Sequence, residues 1–346
     1  MSRHIVKPEA IDLETAGRRD YFVALEHDTI WGDHLIPLTV IVGPNAQVGK
    51  GLVVMGSNHG NEYEGPVVIR MLMREIAPEF VIGRLIFIPI LNPAAFRAGT
   101  RDSSLDDGLN LNRAFVEGAG RTPSLSRITH RIVDFLRKYI WQHVHVVIDL
   151  HAGGEIARFG KCTSFHPIDD PEQSKRTEET ARWFGTPLVI AYQNETPGLL
   201  ASEAERMGKI TVGAELGWGS AVQADGVRFG RHGVLAAALH HGQMTGVTTR
   251  IGHHLSGTQL KAEIVDRECF TTTPISGYYE PIVECGERVK AGNVVGLVHD
   301  FERIDAAPWP AMAEVDGVVV AQAWGARVNQ GQHIVVTGRI IPWING

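Results

Sequence analysis

Apolar residues along the first two thirds of the chain fall into short runs closed by Gly, Asn or Asp. They are residues 37–43 (PLTVIVG), 51–57 (GLVVMGS), 85–91 (LIFIPIL), 145–150 (HVVIDL), 187–192 (PLVIAY) and 209–215 (KITVGAE). Their β-branched content predicts strands, and their near-continuous apolarity predicts burial on both faces. Helical spacing fills the intervals. Residues 64–75 put Val67, Val68, Met71 and Leu72 on one side, and residues 125–139 do the same with Ile128, Ile132, Val133, Phe135 and Leu136. Residues 171–184 open with Pro and acids before basic residues, as a helix start should, and residues 227–244 read as another helix. Alternating strands and helices predict an α/β fold with a mixed, largely parallel sheet flanked by helices.

The pattern changes after about residue 255. From 262 to 341 the helical period disappears, and short alternating stretches are separated by turn residues. Each half of this tail carries a Gly, a short strand and a V-x-x-G turn, Val289–Gly292 and Val328–Gly331. This is a weak internal repeat of β-hairpins. The expected organisation is a catalytic domain over residues 1–252 and an all-β, barrel-like domain over 253–346. The linker is placed near residues 251–256 (IGHHLS).

Composition narrows the function. The 33 Lys+Arg against 39 Asp+Glu give a net charge of −6, which argues against a nonspecific nucleic-acid binder. Cys162, Cys269 and Cys285 form no C-x-x-C pair, so neither a disulfide framework nor a Cys-rich zinc site is expected. The N-terminus has no apolar core or cleavage site of a secretory signal. No apolar run approaches the roughly 18 residues of a membrane span. A soluble protein in the reducing cytoplasm is expected. Sixteen histidines make metal chemistry the first thing to test.

Three predicted strands end in chemistry. His59 and Glu62 lie in GSNHGNEYEGP, His151 ends DLH before AGG, and Glu215 closes TVGAE. Loops beyond the carboxyl ends of strands form the ligand crevice of an open α/β sheet. His59 and Glu62, three apart across a turn, can face one point, and His151 completes a His₂Glu set. Catalytic zinc in several hydrolases uses that set and keeps a fourth position for water. Zinc acidifies the water and polarises a carbonyl. An unliganded carboxylate must then move a proton, and Glu215 is placed for it. An H-x-x-E pair alone is common; its combination with two further strand ends carries the argument. Asp149 either orients His151 or caps the strand end. Glu64 reads as a helix-starting acid.

Residues 92–115 (NPAAFRAGTRDSSLDDGLNLNRAF) form a connection long and polar enough to be functional. Arg101, Asn112 and Arg113 suit an oxyanion or a substrate carboxylate. Surface pairing of Arg101 with Asp102 or Asp106 is the alternative.

The runs HGNEYEG, NLNR, DLHAGG and GAELG, in that order over about residues 40–245, resemble the succinylglutamate desuccinylase/aspartoacylase family of the zinc carboxypeptidase-like superfamily. The resemblance implies one Zn²⁺ per chain held by His59, Glu62 and His151, with Glu215 as general base. It implies Asn112 and Arg113 as the substrate-carboxylate pair and Arg101 as the carbonyl-polarising arginine. A family tyrosine near the substrate has no match. Within the family the chain is most similar to the N-acetyl-diaminobutyrate deacetylases of ectoine breakdown. The tail resembles a biotinyl/lipoyl-type β-barrel, but no lysine occupies an exposed carrier turn; the stretch after Val298 reads HDFERIDAAPWP. A rim over the active site, a homo-oligomer contact and a solubilising appendage all remain open for it.

The leading expectation is hydrolysis of the amide of a small anionic N-acyl amino acid. Succinylglutamate desuccinylase or aspartoacylase activity changes only the substrate, as does a metallocarboxypeptidase acting on peptides, which needs an open groove. A non-catalytic binding protein on the same scaffold predicts a missing ligand or base, and none is missing. A succinyl or aspartyl substrate needs a further cation, for which Arg97, Arg158 and Lys161 are candidates.

Overall fold

The computed structural model describes residues 4–27, 32–104, 106–116, 127–194, 196–246 and 259–343. Its first eleven strands are β1 (Ile5–Val6), β2 (Gly17–His27), β3 (Gly32–Val42), β4 (Gly51–Gly56), β5 (Arg84–Ile88), β6 (Val144–His151), β7 (Ala157–Phe159), β8 (Cys162–Phe165), β9 (Leu188–Tyr192), β10 (Ile210–Glu215) and β11 (Leu260–Ile264). The helices are α1 (Glu64–Glu75), α2 (Pro93–Ala98), α3 (Ile128–Phe135), α4 (Pro171–Trp183), α5 (Leu200–Arg206) and α6 (Ala224–His240).

The heart of the sheet is parallel: β5 pairs with β4, β4 with β6, and β6 with β10. Every residue of β4 and β5 is buried, as their near-continuous apolarity predicts; the one charge, Arg84 at the start of β5, donates to the Leu13, Gln47 and His143 carbonyls and to Glu14. Two antiparallel additions make the sheet mixed. The β2–β3 hairpin joins β5 through β3, and β8 runs against β10. Helices cover both faces. Val68, Ile69 and Leu72 of α1 share one core with Val234, Leu235 and Ala237 of α6. On the other face Ile132, Val133 and Phe135 of α3 pack with Trp141 and with Leu200 and Ala204 of α5.

Sequence periodicity placed β3–β6, β9, β10, α1, α3, α4 and α6; β1, β7, β8 and α5 were not anticipated, and three further differences stand out. β2 (GRRDYFVALEH) was not anticipated, because charges interrupt its apolar residues; only alternate positions such as Tyr21, Val23 and Leu25 need be core-facing. The connection over 92–115 is not all loop. It begins with α2, whose Asn92 side chain accepts the Ala95 N–H and whose Gly99 ends it at φ 66°. Helix α6 starts three residues before the expected 227 and ends at His240 rather than 244.

The tail adds strands first to the catalytic sheet. β11 lies parallel to β9, and β19 (His333–Ile340) pairs antiparallel to β11. Before β19 come β12 (Phe270–Thr272), β13 (Gly277–Pro281), β14 (Arg288–Val289), β15 (Val294–His299), β16 (Trp309–Met312), β17 (Gly317–Ala323) and β18 (Arg327–Val328). β16, β15, β13 and β18 form a separate antiparallel sheet over a core that includes Tyr279, Val298, Val319 and Val335.

The two halves of the repeat exchange partners. Val289 pairs with Gly317 of the second half, and Val328 with Gly277 of the first. Gly292 and Gly331 occupy matching left-handed turns, φ 84° and 83°. The expected linker at 251–256, with His253 and His254, lies outside the described residues. Among the described residues no helix is long and apolar enough to cross a membrane.

Candidate metal centre and active site

The sheet register assembles the site. Glu215 of β10 is the ladder partner of His151 of β6, and Gly56 at the end of β4 is the partner of Leu150. The chain leaving β4 turns sharply at Ser57, φ 54°, a left-handed conformation unusual for a side-chain-bearing residue and typical of a site that constrains its backbone. That turn carries His59 and Glu62 across the end of β6. Gly60 lets the turn close: a Cβ there would lie 2.0 Å from the Ala95 carbonyl carbon of α2.

Ligand atoms of His59, Glu62 and His151 all lie within 4.8 Å of one another. His59 Nδ1 stands 2.8 Å from Glu62 Oε1, and His151 Nδ1 stands 2.9 Å from Glu62 Oε2. The Ala152 N–H donates to Glu62 Oε2 at 3.1 Å, and Arg101 Nη1 donates to Oε1 at 3.0 Å. Behind His151, Nε2 meets Asp149 Oδ2 at 2.8 Å, and Asn58 Nδ2 donates to the same oxygen at 2.9 Å. Asp149 therefore orients His151, the first of its two readings.

These residues fit a metal. A carboxylate only accepts, so with no cation both Nδ1 atoms must carry protons toward Glu62. His151 would then be doubly protonated, because Asp149 takes Nε2 as well. Burial opposes this, yet the Asp149 and Glu62 carboxylates outweigh it and hold His151 well above its usual range. Burial also works against the Glu62 carboxylate, but His59 and His151 keep it well below the ordinary carboxylate range. One divalent cation would replace those protons. The Asp149 bond would keep the Nε2 proton and turn the Nδ1 lone pair toward the ion. Two imidazoles and one carboxylate with an open position suit zinc.

His59, Glu62, His151, Glu215, Arg101, Asn112 and Arg113 line one cavity of about 330 Å³. Burial first, and then the Glu62 charge, push the Glu215 carboxyl up to about 7. Its Oε2 is buried without a partner. Arg101 faces Glu62, whereas Asp106 lies 3.6 Å from His34. Asn112 Oδ1 accepts the Leu200 N–H at the start of α5, which fixes the amide beside Arg113. Burial and the charge of Arg101 both depress the Arg113 guanidinium, the mark of two cations aimed at one space. Glu64 begins α1 and accepts the Gln223 N–H at 3.1 Å.

The candidate second cations are committed elsewhere and do not line the cavity. Arg97 lies 3.3 Å from His34 Nδ1, and Arg158 is paired with Glu284. Lys161 donates to Gln223 and sits 3.7 Å over the Trp218 ring.

The tail reaches the rim. β7 pairs antiparallel with β17, Ala321 opposite Phe159 and Ala323 opposite Ala157. Ala157 and Phe159 both line the cavity, so tail strand β17 props one cavity wall. Sequence reasoning missed other lining residues: Phe159, Ser164, His166, Tyr192, Asn194 and Thr196. Most follow or lie in β8 and β9, where no polar motif marks them. Tyr192 brings a tyrosine to the cavity where the sequence offered no match.

Residues 48–241 match the succinylglutamate desuccinylase/aspartoacylase catalytic domain. The N-alpha-acetyl-L-2,4-diaminobutyric acid deacetylase of Halomonas elongata is 31% identical over 338 residues, 96% of this chain and 94% of the relative. A succinylglutamate desuccinylase/aspartoacylase from Rhodobacter sphaeroides superposes with a TM-score of 0.86 at 29% identity, covering 96% of this chain and 98% of its own. The ectoine utilization protein EutE (DoeB) from Ruegeria pomeroyi gives 0.85 at 27% identity, covering 95% and 98%. The chain belongs to the succinylglutamate desuccinylase/aspartoacylase family and is a deacylase.

Proposed function

We propose that the protein is a zinc-dependent amidohydrolase that removes the acetyl group from N-acetyl-2,4-diaminobutyrate. One observation carries the choice of acyl group. Among the described residues, the cavity's arginines and lysines are Arg101 and Arg113 alone, and Arg101 sits beside the candidate metal ligand Glu62. With Arg101 given to the acyl oxygen, one substrate carboxylate can be answered at Arg113, and the further carboxylate of a succinyl group or of an aspartate side chain meets no other arginine or lysine. The name of the Halomonas relative agrees with this reading.

His59, Glu62 and His151 would hold the zinc, which when bound acidifies a water and polarises the acyl carbonyl. Glu215, raised toward neutrality and unpartnered at Oε2, takes the proton of the attacking water and returns it to the leaving amine. Arg101 supports the developing oxyanion. Asn112 and Arg113 grip the α-carboxylate and so decide which amide reaches Glu215. The division at residues 252 and 253 is retained for a catalytic domain and a β-rich domain. The latter serves as a rim through the β7–β17 ladder.

The test is an assay of the zinc-loaded protein across N-acetyl, N-succinyl and N-acyl-aspartyl substrates. Preferential release of acetate from the diaminobutyrate derivative is expected. Preferential release of succinate, or cleavage of peptides alone, would overturn the assignment.

A further inference from the structure

The cavity runs on past the candidate metal centre along one face of strands β10 and β8. Glu215 pairs with Cys162 and Gly213 with Ser164, and side chains alternate along a strand. Glu215, Gly213, Ser164 and His166 therefore mark a line leading away from the metal ligands. Gly213 keeps the line open: a Cβ there would come within 2.7 Å of Ser164 Oγ. At its far end His166 lines the cavity, and its Nδ1 stands 2.8 Å and 3.0 Å from the two oxygens of Glu205. Glu205 is buried and lies outside the cavity lining.

We propose that the His166–Glu205 pair is a specificity determinant that reads a cationic side chain on the substrate's amino acid. This rests on the deacylase reading above and names the feature that selects its substrate. A carboxylate accepts only, so Glu205 keeps the proton on His166 Nδ1 and leaves Nε2 as the ring's acceptor. The pair carries net charge −1 with a neutral ring and zero with a protonated one. In the neutral-ring form that net charge and the Nε2 lone pair favour an ammonium and disfavour a carboxylate. Its neighbours on the cavity wall, Ser164, Tyr192, Asn194 and Thr196, offer oxygen acceptors. Arg113 grips the α-carboxylate, Glu215 faces the scissile amide, and His166 reads the end of the side chain. A terminal ammonium two methylenes from the α-carbon suits that arrangement; a glutamate or aspartate side chain does not.

The experiment pairs binding with turnover on the zinc-loaded protein. Calorimetry compares 2,4-diaminobutyrate with norvaline, its uncharged isostere, and kinetics compare their Nα-acetyl derivatives and N-acetylglutamate. The expected wild-type preference is for the diamino compound in both. Glu205→Gln and His166→Leu should each shrink the preference by about tenfold or more, the size of one charge-assisted hydrogen bond. His166→Gln, which keeps an acceptor, should restore part of it. A wild type that binds norvaline or N-acetylglutamate as well as the diamino compound overturns the proposal. So does a preference that survives both Glu205→Gln and His166→Leu in folded, zinc-replete protein. Binding preference without acetate release would instead sink the assigned reaction and leave the specificity role standing.

Discussion

Asp149 holds His151 by its Nε2 at 2.8 Å and is itself held by Asn58. The two residues share a face of β6, two positions apart, so one strand supplies both a candidate ligand and the group that orients it. Fixing the Nε2 proton fixes which ring nitrogen offers a lone pair to a metal. Asp149→Ala should weaken zinc binding by roughly 10–100-fold without unfolding the protein, measured by competition with a chromogenic chelator. Unchanged affinity would show that His151 needs no orienting partner.

Glu215 and the ligand set should separate cleanly. Glu215→Gln keeps size and removes the proton acceptor, so zinc content should stay at the wild-type level while kcat falls by about 10²–10⁴-fold. His151→Ala should instead lose the metal. Elemental analysis alongside steady-state kinetics distinguishes the two. Loss of zinc in Glu215→Gln would move that residue into the metal's own coordination.

Arg113 and Arg158 make opposite predictions. Arg113→Ala should raise KM by about tenfold or more, through loss of a charge-assisted contact to the substrate carboxylate. Arg158→Ala breaks a partly exposed pair with Glu284, so it should cost no more than about 1 kcal/mol of stability and leave KM within about twofold. A large KM effect at Arg158 would mean that it reaches the substrate after all.

Acid stability should depend on two histidines remote from the site. Burial depresses His145 to about 4 and His241 to about 3, and their rings meet edge to face at 5.6 Å. The folded state binds fewer protons there than the unfolded chain, whose histidines titrate near 6.5. Their contribution is therefore complete above about pH 6.5 and is lost as pH falls through about 4. Tm measured across that range should drop, and the drop should be shallower in His145→Gln/His241→Gln than in wild type. Parallel curves would place the acid sensitivity elsewhere.

The legible part of this protein was the part that physics makes monotonous. β4 and residues 85–88 of β5 are buried on both faces, so they are apolar in succession and the strands stand out. His59, Glu62, His151 and Glu215 were visible because each follows or ends such a strand. β2 was hidden because it alternates with charged residues, and α2 because Pro93 and Gly99 bound a helix of six residues inside a polar stretch. His166 was hidden for a different reason. Its partner Glu205 is 39 residues away on another element, and only the antiparallel turn of β8 brings the ring into the cavity. The tail repeat was legible as spacing, but the exchange of strands between its halves needed the register.

The most direct test is removal and return of the metal. The protein is stripped with a chelator, zinc is titrated back, and acetate release from Nα-acetyl-2,4-diaminobutyrate is followed at each step. Activity should vanish on stripping and return in proportion to zinc, reaching its plateau at about one ion per chain. Full turnover by the metal-free protein would contradict the His59–Glu62–His151 centre as the seat of the reaction.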